Sequence, residues 1–283
     1  MDEYLVREGE PLDLSRFPTT EEGKVSKKEA ERKLIPENIS EMQEWQAKLY
    51  SEDKQGLLIV LQAMDAAGKD GIIKHVMTGL NPQGTVVSTF KQPSVEELDH
   101  DYLWRIHREA PGRGSIGIFN RSHYEDVLVT RVHNLIGDGR LPREYTTDIW
   151  NRRYNQIRNY EQYLTENGIH VVKFFLHISK DEQKERLLSR INNENKNWKF
   201  SRADIEERKH WDEYRAAYEQ MLSATSTEHC PWYVIPSDQK WFSRYLVSEI
   251  LLKKFRRMDP KYPELSEEEK ASLKEWKEIL LKS

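Results

Sequence analysis

A chain of 283 residues, 33% of them charged and with a mean hydropathy of −0.84, can bury a substantial core while keeping a large polar surface. Its net charge of −4 gives no global argument for nucleic acid or an acidic membrane as a partner. The single cysteine, Cys230, excludes an intrachain disulfide framework and a cysteine-based zinc site, and reads as a buried, inert thiol of a reducing compartment.

The N-terminus, Met1-Asp2-Glu3-Tyr4-Leu5, lacks the basic and apolar regions of a signal peptide. No apolar run is long enough to span a bilayer, so a soluble cytoplasmic protein is expected. Residues 1–24 have no periodicity and read as an extended arm. Composition then turns helical up to Lys54, with a capping-box pattern at Ser40 and Gln43 and an apolar stripe of Met42, Trp45, Leu49 and Tyr50. The run Leu57–Leu61 predicts the first core strand, and Ile72, Ile73, Val76, Met77 and Leu80 fall at helical spacing after it.

Between them lies Ala63-Met64-Asp65-Ala66-Ala67-Gly68-Lys69-Asp70-Gly71. A small-residue loop between a strand and a helix can cradle phosphate oxygens on its N–H groups, with a lysine reaching over them. The match to G-x-x-x-x-G-K-[ST] is imperfect: Ala63 replaces the first glycine, Asp70 the hydroxyl residue, and Asp65 adds a carboxylate. Asp70 reads either as a metal ligand or as a first-turn carboxylate favoured by the helix dipole. Asp65 is harder to explain structurally, because an anion in a phosphate cradle needs an intervening cation.

Further on, Thr85–Phe90 predicts a second strand, Ser94-x-x-Glu97 a helix carrying Leu98, Tyr102 and Ile106 inward, and Ser115–Asn120 a third strand. Gly137–Arg143 reads as a loop and Thr146–Asn167 as a long helix closed by Gly168. Ile169–Ile178 is the fourth strand. Ser179-x-x-Glu182 caps a helix burying Leu187, Leu188 and Ile191, a break follows over Asn192–Phe200, and one helix runs from Ser201 through Trp211 to Leu222. Tyr233–Ile235 is the fifth strand, followed by helices over Trp241–Arg257 and from Ser266 onward. Strands alternating with helices imply an α/β fold, a doubly wound parallel sheet with ligands outside the carboxyl ends of its strands. The ends of strands one, three and four should therefore share one crevice. One domain is expected over 1–283: an arm and helices at 1–55, a core at 56–258 with a lid at about 192–210, and a C-terminal helix at 264–283.

Two further clusters bear on chemistry. Asn120-Arg121-Ser122-His123-Tyr124-Glu125-Asp126 follows the third strand. Asn120 offers a neutral oxygen ligand, and Arg121 can reach phosphates bidentately. His123 is either a base or a packed histidine, and Glu125 either faces a ligand or closes a capping box with Ser122. Lys180, Lys184, Arg186, Arg190, Lys196, Lys199, Arg202, Arg208 and Lys209 form a basic excursion, read either as a lid over the crevice or as a solvated face paired with local carboxylates.

These stretches resemble the polyphosphate kinase 2 family. The resemblance rests on Leu61–Gly71, Phe119–Val127, Lys173–Lys180, Trp198-Lys199-Phe200, Thr225–Glu228 and Pro231–Ile235, and spans Pro36 to Lys254. It implies a P-loop kinase fold with a five-stranded parallel sheet and a helical lid. The implied reaction is Mg²⁺- or Mn²⁺-assisted transfer of the terminal phosphoryl of inorganic polyphosphate to AMP and ADP, and also to GMP and GDP. Residue by residue, it implies Asp65, Lys69 and Arg121 as catalytic, and Asp65 with Asn120 as metal holders. Asn120, Arg121, His123, Tyr124, Glu125 and Asp126 would form the acceptor site, and Lys69, Lys74, Arg121, Arg186, Arg190, Lys199, Arg208 and Lys209 would grip the polyphosphate. Asn120-Arg121-Ser122-His123-Tyr124 resembles members acting on both mono- and diphosphates. The family also implies a homo-oligomer. The alternatives are an ATP-dependent nucleoside or nucleotide kinase of the same fold, and a non-catalytic polyanion-binding module.

Overall fold

The computed structural model describes residues 1–138 and 141–283. The described residues form one parallel sheet from β1 (Gly56–Ala63), β2 (Thr85–Thr89), β3 (Ile116–Asn120), β4 (Ile169–His177) and β5 (Trp232–Pro236), in the order β2-β3-β1-β4-β5. β1 is buried throughout, as a central parallel strand covered on both faces must be. Gly56 opens it because a Cβ there would lie 2.7 Å from the Gly112 carbonyl oxygen. Leu61 stands beside Asn120, and Ala63 beside Leu176. The loops after β1, β3 and β4 therefore meet at the point where chain order reverses across the sheet.

Alternation along β1 builds two cores. Leu57, Ile59 and Leu61 pack against α1 (Ile35–Glu52), α2 (Lys69–Val76) and, from the C-terminal part of the chain, the helix Lys240–Met258. Leu58 and Val60 face the helices Ile149–Glu166 and Trp211–Thr225. Each buried aliphatic side chain contributes about 1.5–3 kcal/mol. The N-terminal arm covers the outer edge of β5: Leu5 bridges Tyr233, and the Val6 N–H donates to the Trp232 carbonyl at 2.9 Å. A capped edge of this kind removes a template for aggregation.

Several expected elements are corrected. Ser40 caps nothing, because α1 already runs through it from Ile35, and Tyr50 is exposed. The helix expected after Ser94 is split into α3 (Val95–Asp99) and α4 (Trp104–Arg108), leaving Leu98 in solvent. The long helix is α5 (Ile149–Glu166), and Ser179 caps α6 (Lys180–Asn192) as expected, but Leu188 and Ile191 are exposed. The helix expected from Ser201 to Leu222 breaks at His210 into α7 (Arg202–Lys209) and α8 (Trp211–Thr225). The last two helices are α9 (Lys240–Met258) and α10 (Glu267–Lys282). The expected loop at Gly137–Arg143 includes positions outside the described residues. No helix among the described residues is long and apolar enough to cross a membrane.

Candidate active site

The chain leaves β1 at Ala63, turns through Ala66 in the left-handed region at φ 62°, and enters α2 at Gly68, whose φ is 119°. A second non-glycine residue of this kind, Arg121 at φ 63°, turns the chain immediately after β3. Each such turn costs about 1–2 kcal/mol, so two facing one another across adjacent strand ends mark a built site. No side chain caps α2, which leaves its first-turn N–H groups and positive dipole end toward the crevice.

Five charged groups converge there. Lys69 Nζ donates to the Ala63 carbonyl at 3.1 Å, folding the lysine back over the loop. Burial, and Arg121 beside it, push the Lys69 ammonium down, while Asp65, Glu125 and Asp70 oppose that shift. Arg121 Nη2 donates to Asp65 Oδ1 at 2.9 Å, bridging the loop to the end of β3. Burial opposes the guanidinium's charge, but Glu125 and Asp65 outweigh it and hold its pKa above the ordinary value. Burial raises the Glu125 carboxyl against the pull of Arg121 and Lys69. Asn120 Nδ2 donates to Asp70 Oδ1 at 3.0 Å, which turns the amide oxygen away from Asp70 and leaves it able to ligate a cation.

The stretch after β3 divides by direction. Asn120, Arg121 and Glu125 belong to the crevice. Asp126 is held by Arg153 at 3.6 Å, and burial lifts its carboxyl to about 6. His123 and Tyr124, expected in the acceptor site, are instead fully buried. Tyr124 donates to Glu161 Oε1 at 2.6 Å and accepts from Lys173 Nζ at 2.9 Å. Lys173 also donates to Glu161 Oε2 at 2.5 Å and to the Thr225 carbonyl at 2.7 Å. His123 lies 3.5 Å from Glu161, and burial pushes its imidazole toward the neutral form. Those two side chains pack into the polar core behind the crevice. Ser122 caps the turn by accepting from the Tyr124 N–H, so Glu125 is free of the expected capping box.

The basic excursion divides in the same way. Arg186, expected to lead the grip on polyphosphate, is a brace, only 8% exposed. Its Nη1 donates to the carbonyls of Ala66 and Ala67, its Nη2 to those of Ser237 and Asp238, and its Nε to Glu182. Arg190 pairs with Asp204 at 3.0 Å, and Arg208 donates to the Lys180 carbonyl and Gln183 Oε1, so both tie the excursion together. Gln183 donates to the Asp65 carbonyl at 3.0 Å, and Asp204 lies close enough to Asp65 to be raised by it, after burial. Lys74 and Lys199 are exposed, with Lys199 over the Trp198 ring, while Lys209 pairs with Glu206. Replacing Arg186 by lysine should not rescue the loop, because one ammonium cannot span carbonyls on two segments. Arg186→Lys is expected to raise the KM for the phosphate donor at least tenfold; an unchanged KM would sink the brace role.

Two cations that sequence reasoning missed lie on the other flank of the loop. Lys240 and Arg244 are one turn apart at the start of α9, directly after β5. Arg244 Nη2 lies 3.9 Å from where a Gly71 Cβ would stand. Burial, then Arg186, lowers Lys240, with Lys196 and Arg244 adding to the repulsion. The signal was present as a basic pair opening the helix after the last strand. A cavity of about 530 Å³ also runs along β2 and the turn after it, lined by Phe90, Lys91, Gln92 and Arg108. The Phe90 N–H donates to the Asn120 carbonyl at 3.2 Å, which ties the end of β2 to the end of β3.

The family model of polyphosphate kinase 2 matches residues 24–263. The chain belongs to the polyphosphate kinase 2 family. An ADP-polyphosphate phosphotransferase of Rhodopseudomonas palustris is 45% identical over 99% of this chain and 98% of its own. An AMP/ADP-polyphosphate phosphotransferase of Meiothermus ruber is 43% identical over 93% of this chain and 96% of its own. The crystal structure of polyphosphate kinase 2 from Arthrobacter aurescens superposes with a TM-score of 0.86 at 38% identity, covering 95% of both chains.

Proposed function

We propose that this protein is a phosphotransferase that moves the terminal phosphoryl of inorganic polyphosphate onto AMP and ADP. The observation that carries the reading is the row of cations. Lys69 and Arg121 meet at the crevice, and Arg244 and Lys240 lie on the outer flank of the loop, a path suited to a linear polyanion. An acceptor phosphate oxygen attacks the terminal phosphorus of the chain and the P–O–P bond breaks, leaving the shortened polyphosphate as the leaving group. The acceptor is already ionised near neutral pH, so positioning and charge offset carry most of the rate. Lys69, Arg121 and the α2 N–H groups offset charge on the moving phosphoryl. The cavity along β2 takes the acceptor's nucleoside; its size is that of ordinary ligand pockets.

The donor set fits a divalent metal of the Mg²⁺ type. Asp65 keeps one carboxylate oxygen outside its bridge to Arg121, Asp70 keeps one outside its bond to Asn120, and the Asn120 amide oxygen is free. Among the described residues no group of three or more His, Cys, Asp or Glu forms a closed cage. Two carboxylates and an amide oxygen suit a cation which retains waters and binds through one or two carboxylates together with substrate phosphates. Such a metal would supply charge neutralisation on the phosphate chain. Asp65→Asn is expected to raise the Mg²⁺ concentration for half-maximal activity at least tenfold; an unshifted titration would return Asp65 to a structural role through Arg121.

The deciding assay supplies AMP or ADP separately with long-chain polyphosphate, Mg²⁺ and no ATP. ADP from AMP and ATP from ADP are expected. Failure of both acceptors would leave the ATP-dependent kinase reading, and ADP as sole acceptor would restrict the enzyme to diphosphates. GMP and GDP in parallel define base tolerance. The same reading includes a homo-oligomer, which sedimentation of the purified chain tests.

A further inference from the structure

A second cavity, of about 230 Å³, lies where β4 and β5 begin, at the opposite end of the sheet from the crevice. From His170 to His177 the strand rises about 23 Å, so the two sites are well separated. Its lining includes His170 at the start of β4, His229 in the turn before β5, and Lys253, Lys254 and Arg257 on the last turns of α9. Glu228 is the only carboxylate among the lining residues.

Charge in this cavity is unbalanced. Lys253 has Asp2 at 3.6 Å, but the Lys254 and Arg257 side chains make no hydrogen bond or ion pair with any described residue. Burial brings the Lys254 ammonium down to about 8, with Arg257 adding to the effect and Cys230 opposing it. His170 Nε2 donates to Gln55 Oε1, 2.8 Å away, and burial with the charges of Lys254 and Arg257 lowers it to about 4. Lys254 is half-buried without a partner among the described residues, which is costly, and an anion entering between it and the exposed Arg257 removes that cost. Lysine and arginine side chains with a fork and a point charge together match a tetrahedral oxyanion carrying more than one negative charge. The volume is below the roughly 300–1,000 Å³ of ordinary ligand sites, which admits one or two phosphate groups and excludes a whole nucleotide.

We propose that the cavity framed by Lys254 and Arg257, with His170 in its wall, is a second anion site that takes inorganic phosphate groups, either free orthophosphate or a segment of a phosphate chain. The site does not depend on the reaction proposed above. Its neighbour Cys230 is buried behind it and plays no part in holding the anion.

Titration calorimetry of the full chain carrying Lys69→Ala, which weakens the crevice, reports on this site through the difference made by altering Lys254 and Arg257. Orthophosphate and tripolyphosphate are titrated separately, with and without the added pair Lys254→Gln and Arg257→Gln. The expected result is a binding event that the added pair weakens at least tenfold; equal affinity and stoichiometry with and without the pair would overturn the proposal. Tripolyphosphate binding tenfold more tightly than orthophosphate identifies a chain segment as occupant, and equal affinities identify free phosphate. An independent readout on the unaltered protein is the rate at which an amine-acylating reagent labels Lys254, followed by peptide mass spectrometry. Saturating phosphate should slow it at least fivefold, and unchanged labelling would count against the site even if the double variant failed to fold.

Discussion

Lys69→Ala is expected to lower kcat by about 10²–10³ while leaving the fold intact, the cost of removing one preorganised donor from a developing anion. The side chain lies at the first position of α2 and bonds only the Ala63 carbonyl, so its loss opens no core cavity. The measurement is single-turnover phosphoryl transfer alongside circular dichroism. The charge in the crevice sharpens the expectation. Asp65, Glu125 and Asp70 face two cations there, so removing Lys69 leaves Arg121 alone against three carboxylates. An incoming polyanion then meets a site whose sign has shifted. Lys69→Arg should recover only part of the rate, because a planar fork cannot follow the same path over the loop. A kcat within threefold of the unsubstituted protein would remove Lys69 from the mechanism.

The largest stability effect belongs to the buried pair. Lys173 and Glu161 are at most 1% exposed, and the pair is satisfied by Tyr124 and the Thr225 carbonyl. Lys173→Met leaves a carboxylate without its cation in the core, which costs about 3–5 kcal/mol and lowers Tm by on the order of 10 °C. The pH dependence should change sign. In the native chain burial would raise Glu161, but Lys173 with His123 outweighs it and holds the carboxyl below its ordinary value. That contribution is present above the unfolded pKa and is lost as pH falls through the folded one. In Lys173→Met the burial effect is opposed only by His123, and the folded pKa rises above the unfolded one. The variant should therefore gain relative stability as pH falls and lose it as pH rises. Thermal melts between pH 4 and pH 8, read as the difference between the two proteins, test this. A constant difference would show that Glu161 does not titrate in this range. Combining Lys173→Met with Glu161→Gln should recover part of the loss, since the uncompensated charge is gone.

The two residues of that pair show where sequence reasoning stops. Lys173 stands in the middle of an apolar strand run, a position where a lysine demands a partner. Nothing in the order of residues shows that the partner is Glu161 on α5, because they meet only when α5 packs over β4. The resemblance implies His123 and Tyr124 in the acceptor site. After the left-handed turn at Arg121 the chain points them into that same polar core. The resemblance implies Arg186 on polyphosphate, yet five carbonyl and carboxylate partners on three segments make it a brace. A charge run records composition, whereas the role of each charge depends on what the fold brings within hydrogen-bond reach.

By itself the sequence determined the strand-loop-helix order, the parallel sheet and the loop at Ala63–Gly71, because hydrophobic period and turn chemistry are local properties. It also carried family membership through Asp65, Lys69 and Arg121, which lie in contiguous stretches. Only the tertiary structure decided that Asp65 bridges to Arg121, that Lys240 and Arg244 flank the loop, and that Lys254 and Arg257 share an unbalanced cavity. Each of these joins residues far apart in the chain. Their distances are set by sheet order and helix packing, and no local pattern encodes them.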